Sequence, residues 1–197
     1  MAIFETIPTL NLFKNNELTS MEEKLPELVK LNDSAKSIFT DFAKVFPATI
    51  PPKSSIDVAA HEMKVRHQQM LLVEENRQVI GLISFEDILS ERPLQLMQAK
   101  GLNRAEITVE MLMSPREHII VLDISHLKNA QVGHIINTIK AHSAYYILVV
   151  KTLRSNKHLI KGLFSATQIG KQLHSDLSSI LTKEPKTIVE LNKERKV

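Results

Sequence analysis

Two stretches of the chain share one design: GLISFEDIL at residues 81–89 and GLFSATQIG at residues 162–170, which begin 81 residues apart. Each opens on a glycine, passes through two apolar residues and reaches a serine. Three positions further on stands a side chain that accepts hydrogen bonds, Asp87 in the first copy and Gln168 in the second. The flanks repeat too. LLV matches LVV, and SIFTDFAKVFPATI matches EMLMSPREHIIVL. An internal repeat limits the architecture more than any other feature here, because each unit must make the same folded piece. Each half reads as β-α-β-β-α and is too small to bury both faces of its own sheet, so the two must pack together.

The expected class is therefore α/β (in the α+β sense), with two β-α-β-β-α repeats packed as a pseudo-two-fold pair. Residues 1–35 are expected to form a helical N-terminal extension, 36–101 the first repeat, 102–174 the second and 175–197 a short tail. Ser20 and Glu23 fit a capping box ahead of MEEKLPELVKL, with Leu25, Leu28 and Leu31 on one helical face. Asp33 or Ser34 caps a second expected helix, AKSIFTDFAKVF, before the prolines at 47, 51 and 52 force extended chain. IDVAAHEM starts a helix offering Val58, Ala59, Met63 and Val65 for packing. MLLVEENRQVIGLIS gives two strands around a polar turn. Pro93 breaks or restarts the helix that Ser84 opens, and Gly101 stops it.

The second pass runs through a short helix in TVEMLMSP, a strand in HIIVLD and a helix in KNAQVGHIINTIKAHS, with Val132, Ile135, Ile136 and Ile139 at helical spacing. The strands YYILVV and HLIKGLF follow, joined by a loop in which Lys151, Arg154, Lys157 and His158 are expected to be exposed. In the tail, Ile188 and Leu191 are available for docking.

Composition excludes several classes. There is no cysteine, which removes disulfides, thiolate metal sites and cysteine nucleophiles. The eight histidines show no metal-ligand spacing. No phosphate-binding loop or nucleophile elbow is present, so an enzyme is not expected. The net charge of +3 is spread in mixed sign, and the basic end KERKV still contains Glu194, which argues against nucleic acid. No run approaches the ~20 apolar residues of a membrane helix, and the N-terminus does not read as a secretory signal. A cytoplasmic location, away from membranes, is expected.

The serine junction has two readings. In one, Ser84 caps a helix and Asp87 completes a capping box, as Gln168 does for Ser165. In the other, the same helix start and the Ser84 hydroxyl receive a phosphate, Asp87 holds the two hydroxyls of a ribose, and Gly81 lets the ligand approach the strand. Lys64, Arg66 and His67 stand before the MLLV strand, either facing a polyphosphate or ending a solvated helix.

The duplicated Gly-apolar-apolar-Ser-x-x-Asp pattern resembles a tandem pair of cystathionine-β-synthase (CBS) domains, the Bateman module, over about residues 36–174. The whole chain resembles small stand-alone bacterial CBS proteins. That resemblance implies a non-catalytic sensor that binds AMP, ADP, ATP or S-adenosylmethionine between its repeats and requires no other cofactor. It implies Ser84 on phosphate, Asp87 on ribose and Gly81 at the strand, with Thr49, Ile50 and Met70 flanking adenine. Gly162, Ser165 and Gln168 would make a weaker second site. A homodimer and an unidentified regulated protein are the implied partners. The rival expectation is a ligand-independent dimerisation or interaction module.

Overall fold

The computed structural model describes residues 6–11, 16–17, 25–154 and 157–174. The chain enters through short edge strands, β1 (Leu10–Asn11), β2 (Asn16–Glu17), β3 (Thr40–Asp41) and β4 (Thr49–Ile50). The first repeat continues as α1 (Ile56–Val65), β5 (Met70–Glu75), β6 (Gln78–Ser84), α2 (Phe85–Leu89) and α3 (Arg92–Lys100). The second is α4 (Val109–Leu112), β7 (Ser114–Pro115), β8 (Ile120–Asp123), α5 (Val132–His142), β9 (Tyr146–Thr152), β10 (His158–Ser165) and α6 (Ala166–Gln172).

Local chemistry fixes many of these boundaries. The Ser55 hydroxyl accepts the Val58 N–H and caps α1. Between β5 and β6, Asn76 and Arg77 both take left-handed conformations (φ 51° and 61°), the twist a two-residue hairpin needs. Gly101 ends α3 at φ 65°.

The two sheets share a four-stranded core of one topology, to which the second adds β1 antiparallel to β8 and β2 parallel to β10. β4 lies parallel to β5, β5 antiparallel to β6, and β6 antiparallel to β7. Likewise β8 is parallel to β9, β9 antiparallel to β10, and β10 antiparallel to β3. The fourth strand is traded between the repeats. β3 comes from the lead-in to the first repeat yet edges the second sheet, and β7 from the second lead-in edges the first sheet. Both glycines of the repeat motif stand where the traded strand crosses: Gly81 opposite Pro115 and Gly162 opposite Asp41. Each glycine directly follows a bulge, at Ile80 and Lys161.

Side-chain alternation then sorts the core into layers. Leu71, Val73 and Ile83 face α1, α2 and α4, together with Ile56, Met63 and Ile88. Leu72, Leu82 and Val79 face Tyr146, Leu148, Val150 and Ile160 of the other sheet. Ile147, Val149 and Phe164 pack against Ile135, Ile136 and Ile139 of α5. The order is helices, sheet, sheet, helices, and the repeats meet along the central apolar seam.

The N-terminal expectations need correction. Ser20 and Glu23 lie outside the described residues, and residues 25–33 are not helical. Pro26 disfavours helix for the residue before it and has no N–H to give. The segment runs instead along the second repeat, with the Val29 N–H donating to the Gln172 carbonyl and the Gly133 N–H to the Leu31 carbonyl. Leu28 and Leu31 are exposed and Val29 is buried. AKSIFTDFAKVF keeps only a single 3-10 turn, Ala35–Ile38, because Thr40 and Asp41 are taken into the ladder with β10. Val58 and Val65 face outward, whereas Ala59 and Met63 are buried. His158, expected in an exposed loop, is fully buried at the start of β10. Ile188 and Leu191 lie outside the described residues. Among the described residues, no helix is long and apolar enough to cross a membrane.

Candidate functional site

β6 delivers Ser84 to the start of α2, and the capping box forms in full. The Ser84 hydroxyl accepts the Asp87 N–H at 3.1 Å and donates to Asp87 Oδ2 at 2.7 Å. Asp87 Oδ2 also accepts the Ser84 N–H at 3.0 Å. Its other oxygen, Oδ1, accepts from the Arg92 guanidinium at 3.0 Å. Ser84 is buried, and its hydroxyl is committed to the cap. α2 has only five residues, so it has little aligned dipole to offer an anion. At this helix start the Ser84 hydroxyl and the Asp87 N–H are thus both engaged in the cap.

Beside Asp87 lies a cavity of about 400 Å³, within the range of small-molecule sites. The first repeat supplies Ser84, Glu86, Asp87 and Arg92. The second supplies His118, Ile119, Ile120, Tyr145 and Tyr146. The isoleucines and tyrosines of the lining thus come from the other half of the chain, and Leu82 from the same half as the carboxylate. Burial, and then the negative charges of Glu86 and Asp87, hold the Tyr145 and Tyr146 phenols above their ordinary range. Both stay neutral and can act as donors at physiological pH.

A second cavity, about 300 Å³, repeats the arrangement with the roles of the halves reversed. Ser165 and Gln168 come from the second repeat, and Ala48, His67 and Met70 from the first. Here Gln168 Oε1 accepts the Thr40 hydroxyl at 3.2 Å, and among the described residues no carboxylate lines the space. Between the cavities, Glu86 and Thr167 occupy equivalent positions of the repeats and meet at 3.4 Å. The Tyr146 hydroxyl, on the wall of both cavities, lies 3.3 Å from Glu86 and 3.2 Å from the Gln69 carbonyl.

This geometry moves several expected site residues. Gly81 does not open toward a ligand: a Cβ there would meet Met113 Sδ at 2.5 Å and the Ser114 carbonyl at 3.0 Å. Gly162 is covered in the same way by Thr40 and the Phe39 ring. Both glycines make room for the traded strands. Thr49 sits on β4 and Ile50 is buried in the first core, so neither lines the cavity beside Asp87. Met70 lines the second cavity instead of the first, because its side chain points across the seam between the sheets. Ser84 and Asp87 are together, as are Ser165 and Gln168. Arg66 is tied to Glu62 at 2.8 Å within α1. The residues the sequence reading missed are Ile119, Ile120, Tyr145 and Tyr146, along with Arg92 and Glu86. Among the described residues, no cluster of His, Asp and Glu could hold a metal ion.

A duplicated sheet pair with mirrored cavities at the inter-repeat junctions defines a tandem α/β binding module. The family model described as CBS domain matches residues 40–93, a span that begins at β3 and contains Ser84, Asp87 and Arg92. Two solved structures share the fold at a TM-score of 0.50. One is an uncharacterized conserved protein from Pyrococcus horikoshii, 20% identical, covering 72% of this chain and 92% of that one. The other is a CBS-domain containing protein from Agrobacterium tumefaciens, 14% identical, covering 74% and 98%. No curated protein sequence matches the chain. Residues 40–93 are thus similar to a CBS domain, and the chain has the tandem-repeat fold of these two structures.

Proposed function

We propose that this chain is a non-catalytic regulatory module that takes an adenosine-containing ligand, such as AMP, ADP, ATP or S-adenosylmethionine, into the cavity beside Asp87. The observation that carries this reading is a cavity with a carboxylate contributed by one repeat and an apolar, aromatic wall by the other. Adenine fits the Ile119, Ile120 and Tyr145 side, and the ribose hydroxyls face Asp87. A ligand touching both repeats favours one arrangement of the halves over others, and that differential affinity is the signal. A homodimer partnered with a regulated protein is the form in which such a change is read out.

Calorimetric titration of the four ligands into the wild type and Asp87→Asn tests the proposal. Binding by the wild type that falls at least about tenfold in the variant supports it, that being the loss of one charged hydrogen bond. Absence of binding by all four rejects it. A second reading, a ligand-independent interaction module, draws on the fact that both Asp87 oxygens are already hydrogen-bonded.

A further inference from the structure

The two oxygens of Asp87 are held in different ways. Oδ2 receives two bonds from Ser84, a buried residue inside the capping box. Oδ1 receives Arg92, whose side chain is 47% exposed and lines the cavity. The Arg92 backbone is fixed at the first residue of α3, where its N–H donates to the Ser90 hydroxyl at 3.2 Å and Pro93 follows. The base of the side chain is therefore anchored, while its guanidinium is held by one half-exposed ion pair, a weak tie.

Arginine and acid also occur as a pair in one copy only. The position 81 residues beyond Arg92 is Leu173, and beyond Asp87 it is Gln168. The second copy carries neither member.

We infer that Arg92 is an internal stand-in that occupies Asp87 in the empty site, and that it makes the site selective for anionic nucleotides over neutral nucleosides. The inference rests on the function proposed above. A ribose diol donates to Oδ1 and displaces the guanidinium. Once displaced, Arg92 lacks a partner unless the ligand brings one. A phosphate on the same ligand takes the guanidinium in a forked, charge-assisted contact. A neutral nucleoside displaces Arg92 and offers it nothing in return.

Removing the side chain should therefore have opposite effects on two ligands that differ only in the phosphate. Calorimetric titrations of AMP and adenosine into the wild type, Arg92→Ala and Arg92→Lys read this directly. Arg92→Ala should weaken AMP by about tenfold, the loss of a charged hydrogen bond. It should tighten adenosine by about threefold, since the competing ion pair is gone. Arg92→Lys should fall between the wild type and Arg92→Ala for AMP. Thermal unfolding of each variant confirms that the cavity is still folded. If both ligands shift in the same direction, or neither shifts, the inference is overturned while the binding reading stands. If the wild type binds neither ligand, the inference fails, whereas the binding reading falls only if ADP, ATP and S-adenosylmethionine also fail to bind.

Discussion

Replacing Gly162 with alanine should unfold the protein at a markedly lower temperature than the same change at Gly81, although the two glycines hold equivalent places in the repeat. A Cβ at Gly162 would overlap the Thr40 backbone carbonyl and come within 2.5 Å of two atoms of the Phe39 ring. Backbone in a paired strand cannot step aside, and Phe39 is itself packed against Phe164 with ring centroids 5.5 Å apart. At Gly81 the nearest atom is Met113 Sδ, the end of a flexible side chain, and the Ser114 carbonyl is 3.0 Å away. Overpacking costs roughly 1–3 kcal/mol, so we expect about 3 kcal/mol at Gly162 and about 1 at Gly81. For a chain of this size each kcal/mol lowers Tm by about 2–4 °C, giving losses of about 6–12 °C and 2–4 °C. Differential scanning calorimetry, with urea midpoints as a second reading, measures both. Gly101→Ala is the control: nothing lies within 4 Å of its Cβ, and only its φ of +65° resists the change. Equal losses at Gly81 and Gly162, or a larger one at Gly81, would show that β3 does not cross the second sheet as described.

Further expectations concern the ionisable groups. Burial holds the His158 imidazole below its ordinary range, with Asp123 opposing. The unfolded imidazole gains a proton near pH 6.5 while the folded one stays neutral, so stability is full above that pH and declines below it. The decline is at most about 1.4 kcal/mol per pH unit. His158→Leu should flatten the dependence of the urea midpoint between pH 7 and 5, values chosen as about half a unit above and 1.5 below the ordinary histidine pKa; an unchanged slope contradicts the assignment. Asp123 is pushed up by burial, but hydrogen bonds from Thr152 and Ser125 outweigh this and hold its carboxyl well below the usual range. Asp123→Ala, which removes those bonds to the end of β8, should cost about 2–3 kcal/mol in urea unfolding at neutral pH. Tyr146→Phe should cost about 1 kcal/mol by the same assay through loss of the hydroxyl between Gln69 and Glu86; no change would remove Tyr146 as a polar link between the halves.

The elements with strong periodicity were legible. Strands β5, β6, β9 and β10 and helix α5 follow from their apolar spacing, and the duplication itself required the halves to pack. The short pieces were hidden. β3 and β7 are two residues each, too brief to carry alternation, and tertiary hydrogen bonds decide their state. Their trade also bears on Met70: the resemblance implies it beside the first acid, whereas the fold sets it in the cavity beside Gln168 of the other repeat. A trace of the exchange was present in the two glycines, since a residue without a Cβ marks close approach. The approaching group is the protein's own backbone. Asp87 was legible as a cap and as a cavity residue, but Arg92 was not singled out, because a position five residues along and across a helix break has no simple periodicity.

The traded strands bear on how such a chain can be inherited. Excising either half removes a border strand from the half left behind and exposes a raw hydrogen-bonding edge and part of the seam. Recombination between relatives can therefore exchange the pair intact far more readily than one member. The copies differ at side chains, Asp87 against Gln168, while their backbones keep the same exchange of border strands.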